Sequence, residues 1–496
     1  MTPRRIKQIL AAMCAGIFLV CLIAHLIWPL YFRADATTFI RWGDWIMDND
    51  INNFLWKVNN DYPPLAILLI TFNAAIMRLF GMSEMWKYYF HTITPTISLC
   101  VGMILIYLLL RHFNISQKKA LILSAVYGFN PIFIYNIIYG QFDVLLTMFA
   151  LLAVYLYVKQ RYFWVIGVSV IATLTKLHFA YFIFPLLFVA VVYQMYKQKK
   201  IWRLTWFIGI IGIIGICAYS FFMWSAVIRG NYMHFITVLT SPLLKRSGLS
   251  MGAFNFLYVF NMFSMQYSVQ YPFWYMYINF IVLSAILATS VYFFLVKPTD
   301  KQLIMVLALY GIALYLFTVA MDNRYVFPSF AILFLAVFIC GEKRPIYTTY
   351  LLFGMMLINN LYIPFKQAWN VLFGIKNANN YIPDYISGNG NTDTDWDGDL
   401  STDEVTNYIT PTSSFEFHIF IGGMIGLLST FAFLLLTLEL WKSTFGTRGE
   451  NPASNNSTKD TPTPQSPNTP QGEGTPQQTP PATTRKRKMI LPQSQS

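Results

Sequence analysis

The 496-residue chain is 56% hydrophobic, 18% aromatic and only 11% charged, with a mean hydropathy of +0.49. Apolar runs of about 17–25 residues recur along it, the length a helix needs to cross a bilayer, so a soluble enzyme is excluded. Its formal net charge of +13 belongs mostly to short basic turns between those runs. That is the pattern of cytoplasmic loops, not of a nucleic-acid surface, and no nucleic-acid partner is expected.

The chain starts MTPRRIK and continues into an apolar run near 8–30 that ends in LIWPLYF. The run is too long for a signal-peptide core and lacks a small-residue cleavage site. An uncleaved first span with a cytoplasmic N-terminus is expected. Further spans are expected near 90–111, 119–139, 142–158, 163–176, 178–196, 204–226, 273–296, 302–320, 326–341, 345–363 and 416–441. If they alternate, RHFNISQKK, KQRYF, KQKKIWR, VKPTDK, GEKRP and ELWKSTFGTR all face the cytoplasm, and every one is basic. The expected fold is therefore an all-α polytopic membrane protein, a bundle of about twelve transmembrane helices with both termini inside. The stretch 63–80 is apolar but short and opens on prolines; it reads as a helix at the membrane interface.

The five cysteines (Cys14, Cys21, Cys100, Cys217, Cys340) show no CxxC spacing and read as small core residues. The tail, 442–496, is rich in Pro, Thr, Gln and Ser, cannot bury a core and is expected to be disordered in the cytoplasm. Its RKRK at 485–488 offers a contact for anionic lipid.

By elimination the outer face holds a large first loop (31–89), YGQFD (139–143), TKLH (175–178), a loop at 227–272, MDNRY (321–325) and a polar insert (364–415). Nearly all carboxylates outside the tail fall there. Four motifs converge: Asp35 in RADATTFIRW, Asp61 and Tyr62 in NNDYPPL, Gln141 and Asp143 after NPIFIYNIIY, and Arg324 with Tyr325 in MDNRYVFP. LTKLHF adds Lys176 and His178. Ionisable groups beside apolar spans are costly to keep and are functional candidates for that reason.

In this order the motifs resemble the GT-C glycosyltransferases, nearest to dolichyl-phosphate-glucose glucosyltransferases and GPI-type mannosyltransferases. RADATTFIRW followed by DYPPL is similar to that family's first luminal loop, and NPIFIYNIIYGQFDVLL to its segment with a Gly-Gln-aromatic-Asp turn. LTKLHFAYFIFP resembles its lysine-bearing helix pair. MDNRYVFP resembles its H-E-R-Y-x-x-P turn, with Met321-Asp322-Asn323 where the family has His-Glu. The resemblance covers residues 1 to about 360, and implies a GT-C-like catalytic domain over 1–363 with a large first extracytoplasmic loop.

It also implies inverting transfer of a hexose, mannose or glucose, from a polyprenyl-phosphate carrier to a hydroxyl of a glycan, lipid or protein acceptor. A carboxylate at the membrane edge suits the proton abstraction that makes a hydroxyl nucleophilic, and Asp35 is the candidate general base. A leaving lipid monophosphate calls for cationic donors, for which Lys176 and Arg324 are the candidates. By family analogy Gln141 and Asp143 are candidates for sugar or acceptor hydroxyls, and Asp61, Tyr62, His178 and Tyr325 for substrate contacts. A lipid monophosphate does not oblige a metal to clamp a diphosphate, and there is no His/Cys cluster, so no catalytic metal is expected.

NTDTDWDGDLSTDEV follows the EF-hand and dockerin-like spacing: Asp393, Asp395 and Asp397 at positions 1, 3 and 5, Gly398 at 6, Asp399 at 7, Ser401 at 9 and Glu404 at 12. A structural Ca²⁺ ion in the extracytoplasmic loop 364–415 is expected. Calcium titrated into the full-length protein should bind in the range of about 10⁻⁴–10⁻³ M, and Glu404→Gln should abolish it. Calorimetric silence up to about ten times that range would remove the expectation.

Two other readings remain open: a lipid-linked-sugar flippase or secondary transporter, and a calcium-dependent surface scaffold with an inactive membrane part. Transporters carry polar groups at the midplane and paired broken helices, whereas the ionisable residues here cluster at the outer rim and no internal repeat is visible. The dockerin-like loop points to a prokaryotic cell membrane.

Overall fold

The computed structural model describes residues 1–27, 34–49, 51, 54, 62–177, 179–222, 250, 253–264, 274–319, 321–340, 349–359, 361–362 and 413–445. The calcium loop, Asp61, His178 and the tail from 446 on lie outside them. Among the described residues the chain is helical, with one isolated parallel bridge between Ser250 and Met321.

In chain order the helices are α1 (Pro3–Ile27), α2 (Ala34–Asn49), α3 (Pro64–Leu79), α4 (Glu84–His91), α5 (Ile93–His112), α6 (Gln117–Gly128), α7 (Pro131–Tyr139), α8 (Asp143–Val158), α9 (Tyr162–Thr175) and α10 (Phe179–Phe182). They continue as α11 (Phe184–Lys197), α12 (Ile201–Phe222), α13 (Tyr258–Ser264), α14 (Tyr275–Val296), α15 (Asp300–Phe317) and α16 (Phe327–Cys340). The last two are α17 (Thr349–Asn359) and α18 (Ser413–Phe445).

Six stretches are long and apolar enough to cross a membrane: Pro3–Ile27, Glu84–His112, Gln117–Tyr139, Tyr277–Val296, Asp300–Phe317 and Ile419–Glu439. Five of the other expected spans fall on apolar helices of 10–17 residues, and the sixth on α12, of which only Ile201–Gly215 enters the count. The count of spanning length is thus six among the described residues, against the twelve expected. Proline opens two of the helices and shortens one expected span, at α11. Asn130 caps α7, its Oδ1 accepting from the Ile132 amide at 3.0 Å, and Pro131 fills the first turn, where an amide hydrogen is dispensable. Pro185 similarly opens α11 after the break at Ile183.

Within the apolar helices, several hydroxyl side chains are satisfied locally. Ser98, Ser124, Thr147, Thr175 and Ser290 each donate to the carbonyl four residues back, which keeps a hydroxyl paired where water is scarce. Cys14, Cys21 and Cys100 are free thiols.

The main core joins α5, α8, α9, α15 and α16, with α15 packed along α16 and α5 along α8. A second, smaller core sits under the first loop, where Phe39, Ile46, Phe54, Ala66, Ile67 and Ile70 close on Phe142 and Leu145. Ala36, Phe39, Ile40, Gly43 and Ile46 of α2 recur at helical spacing and form its buried stripe. At Gly43 the crossing with α3 is tight: a Cβ there would lie 2.6 Å from that of Ala74. Phe39 and Phe54 are almost wholly buried, and each such side chain contributes about 1.5–3 kcal/mol where water is the alternative. This small core clamps the start of α2 over the turn between α7 and α8.

A cavity of about 280 Å³ lies between α14, α15 and α18, lined by Ile286, Phe293, Met305, Leu309, Phe317 and Phe433 among others. Its α15 wall runs from Gln302 to Phe317, which is about 22 Å of helix.

Candidate functional site

Gly140 organises the site. It ends α7 in the left-handed region, φ +89°, where a side chain is disfavoured. A Cβ on it would lie 2.6 Å from the Ala36 Cα and 2.7 Å from the Ala36 nitrogen. Only glycine lets the first turn of α2 settle on the α7–α8 turn. Buried His91 secures the same turn, its Nε2 donating to the Gly140 carbonyl at 3.1 Å. Phe39 stacks on Phe142 at 5.2 Å.

This contact brings Gln141 to Asp35. The Gln141 Nε2 donates to Asp35 Oδ2, while Gln141 Oε1 accepts from the Tyr62 hydroxyl at 3.0 Å and from Lys176 Nζ at 3.4 Å. Lys176 ends α9 and also donates to Asp143 Oδ1 at 2.6 Å. From the α15–α16 turn, Arg324 Nη1 donates to Asp35 Oδ2 at 2.5 Å. Asp322 grips the same guanidinium from the side, accepting from Nε at 3.3 Å and from Nη2 at 2.6 Å. Tyr139 lies under Arg324 at 5.3 Å, and Tyr325 under Lys176 at 5.6 Å.

One continuous network therefore runs Asp322–Arg324–Asp35–Gln141–Lys176–Asp143. Comparison with protein-family models and with curated proteins gives no match.

The two ends of the network differ. Lys176 and Asp143 side chains are 6% and 2% exposed, whereas Arg324 and Asp35 are 18% and 26% exposed. An incoming molecule can reach the Asp35–Arg324 end, and the Lys176–Asp143 end is closed. At the open end, both bonds to Asp35 fall on Oδ2; among the described residues Oδ1 accepts none. Arg324 spends three of its five N–H groups on carboxylates, leaving one on each Nη, a pair suited to a bidentate oxyanion.

Burial raises the Asp35 carboxyl above its ordinary value, with the Arg324 guanidinium opposing the rise.

Seven residues singled out in the sequence thus stand together: Asp35, Tyr62, Gln141, Asp143, Lys176, Arg324 and Tyr325. Asp61, His178 and the calcium ligands Asp393, Asp395, Asp397, Asp399, Ser401 and Glu404 fall outside the described residues. Three contributors were missed. Asp322 stands two residues before Arg324, a spacing that signals a local carboxylate–guanidinium pair. His91 and Tyr139 gave no signal, because each acts through a contact with a distant turn. Among the described residues, no His, Cys, Asp or Glu group suited to a metal is present.

Gly140→Ala is expected to cost the left-handed preference, about 1–2 kcal/mol, plus the clash with Ala36. Its unfolding midpoint in detergent should fall. An unchanged midpoint would mean that the α2–α7 contact is looser than described.

Proposed function

We propose that the protein is an integral-membrane inverting hexosyltransferase that uses a polyprenyl-phosphate sugar as donor, with Asp35 as general base. The observation that carries the reading is the open end of the network: a carboxylate with one unengaged oxygen beside an arginine with two unengaged donors.

The reaction follows from those two groups. The acceptor hydroxyl gives its proton to Asp35 Oδ1 as its oxygen bonds to the anomeric carbon. The bond from that carbon to the phosphate oxygen breaks, and the electron pair leaves with polyprenyl phosphate. Arg324 meets the charge that develops there through its remaining N–H pair. Asp322 fixes the guanidinium plane by accepting from Nε and Nη2. No step uses a metal.

Gln141, itself held by the Tyr62 hydroxyl, and Arg324 hold the Asp35 carboxylate through Oδ2, which leaves Oδ1 for the acceptor. Lys176 was expected to meet the phosphate with Arg324. It is assigned instead to orienting Gln141, because its ammonium is closed off and bonded to Asp143. The cavity along α15 is proposed to take part of the carrier's apolar chain, and Ca²⁺ is proposed to stabilise the 364–415 loop.

The test is transfer in vitro. Purified protein is given polyprenyl-phosphate glucose or mannose with a hydroxyl acceptor, and the product is followed by mass spectrometry. Covalent transfer with inverted anomeric configuration is the expected result. Movement of intact donor across proteoliposomes without transfer would overturn the reading in favour of a carrier.

A further inference from the structure

A second site lies at the other end of α9. Its first turn carries Phe163 and Trp164, while Lys176 follows its last residue. The separation between Phe163 and Lys176 corresponds to about 20 Å of helix, so this site is apart from the network around Asp35.

Here α9 and α12 enclose a groove of about 500 Å³ lined by Phe163, Trp164, Arg203, Trp206, Phe207 and Ile210. Residues 203, 206, 207 and 210 share one face of α12. Phe163 and Phe207 meet edge to face at 5.1 Å and form the floor. Trp164 and Trp206 are 68% and 60% exposed, which leaves their indole rings as open walls. Polarity is confined to one end: Arg203 at the mouth, then about 10 Å of apolar wall to Ile210.

The mouth is strongly cationic. Lys159 and Arg161 flank the turn into α9, and Lys199 and Lys200 precede α12. Among the described residues none of these four, nor Arg203, is paired with a carboxylate. The N-termini of α9 and α12 add two positive helix ends.

We propose that this groove binds an anionic phospholipid, its headgroup phosphate on Arg203 and an acyl chain lying between Trp164 and Trp206 toward Ile210. The shape requires a ligand that is charged at one end and apolar along about 10 Å. Inorganic phosphate would leave the aromatic walls unused. A zwitterionic lipid would leave the surplus positive charge unanswered. Exposed tryptophans with basic neighbours are the side chains that settle at the headgroup level of a bilayer.

Native mass spectrometry of the full-length protein, released from nanodiscs of mixed phosphatidylglycerol and phosphatidylcholine, tests this. Wild type is expected to retain phosphatidylglycerol in preference to phosphatidylcholine. Arg203→Gln should lower that retention about tenfold, and Trp206→Ala should lower it independently. Arg203→Lys should keep part of it, and Trp86→Ala, on exposed α4, all of it. Added inorganic phosphate should not displace the lipid. Equal retention of both lipids, or an unchanged Arg203→Gln variant, would leave annular lipid only and overturn the proposal. Displacement by inorganic phosphate would overturn it too, leaving a simple anion site.

Discussion

Asp35→Asn is expected to lower the turnover of sugar transfer by roughly 10²–10⁴-fold, the contribution of a positioned general base, while donor binding is kept. The amide still accepts from Gln141 but takes no proton. Arg324, held from its other side by Asp322, stays in place for the phosphate. The informative measurement is therefore donor affinity alongside turnover: a loss of both would make Asp35 structural, and near-normal turnover would remove it as the base. The pH profile adds an independent check. The base works deprotonated, and burial raises the Asp35 carboxyl. Turnover should consequently climb with pH through a value above the ordinary carboxylate value of about 4. A rising limb below that value would contradict the assignment.

The second large effect is expected at the closed end. Lys176→Met leaves Asp143 as an uncompensated buried carboxylate, and Asp143→Asn leaves Lys176 as a buried ammonium. Removing one partner of a buried pair typically costs about 3–5 kcal/mol. Asp143 has little reserve, since among the described residues its buried Oδ2 has no hydrogen-bond partner. Replacing both partners, Lys176→Met with Asp143→Leu, should recover most of the unfolding midpoint, because neither charge is then desolvated. Turnover should stay low in the double variant, because Gln141 loses its ammonium donor and with it part of the hold on Asp35. Single variants as stable as wild type would show that the pair is open to water. Full activity in the double variant would show that Gln141 is placed without Lys176.

The motifs that form the network were legible because each is local. DYPPL, GQFD and DNRY are turns between apolar runs, and a charged or amide side chain in such a turn is conspicuous against hydrophobic surroundings. Their partners were not legible. Arg324 and Asp35 are 289 residues apart, and Gln141 and Asp35 are 106 apart. The sequence offers both Lys176 and Arg324 as cations for the phosphate, with bidentate geometry on the arginine. The structure gives them different exposure, because the Lys176 ammonium is closed off against Asp143 while the Arg324 guanidinium stays partly open. Asp322 was passed over in the sequence as a departure from a known pattern, and its hold on Arg324 became visible only with the geometry of the turn.

What the sequence by itself determined is the helical, membrane-type character of the chain and the positions of its polar turns. Apolar run length and local breakers such as Asn130-Pro131 act over a few residues, within reach of a one-dimensional reading. Tertiary structure decided which turns meet and which end of the network is open. Those outcomes depend on close approach between distant segments, above all the seating of Ala36 on Gly140, where the absence of a single Cβ lets Asp35 reach Gln141 and Arg324.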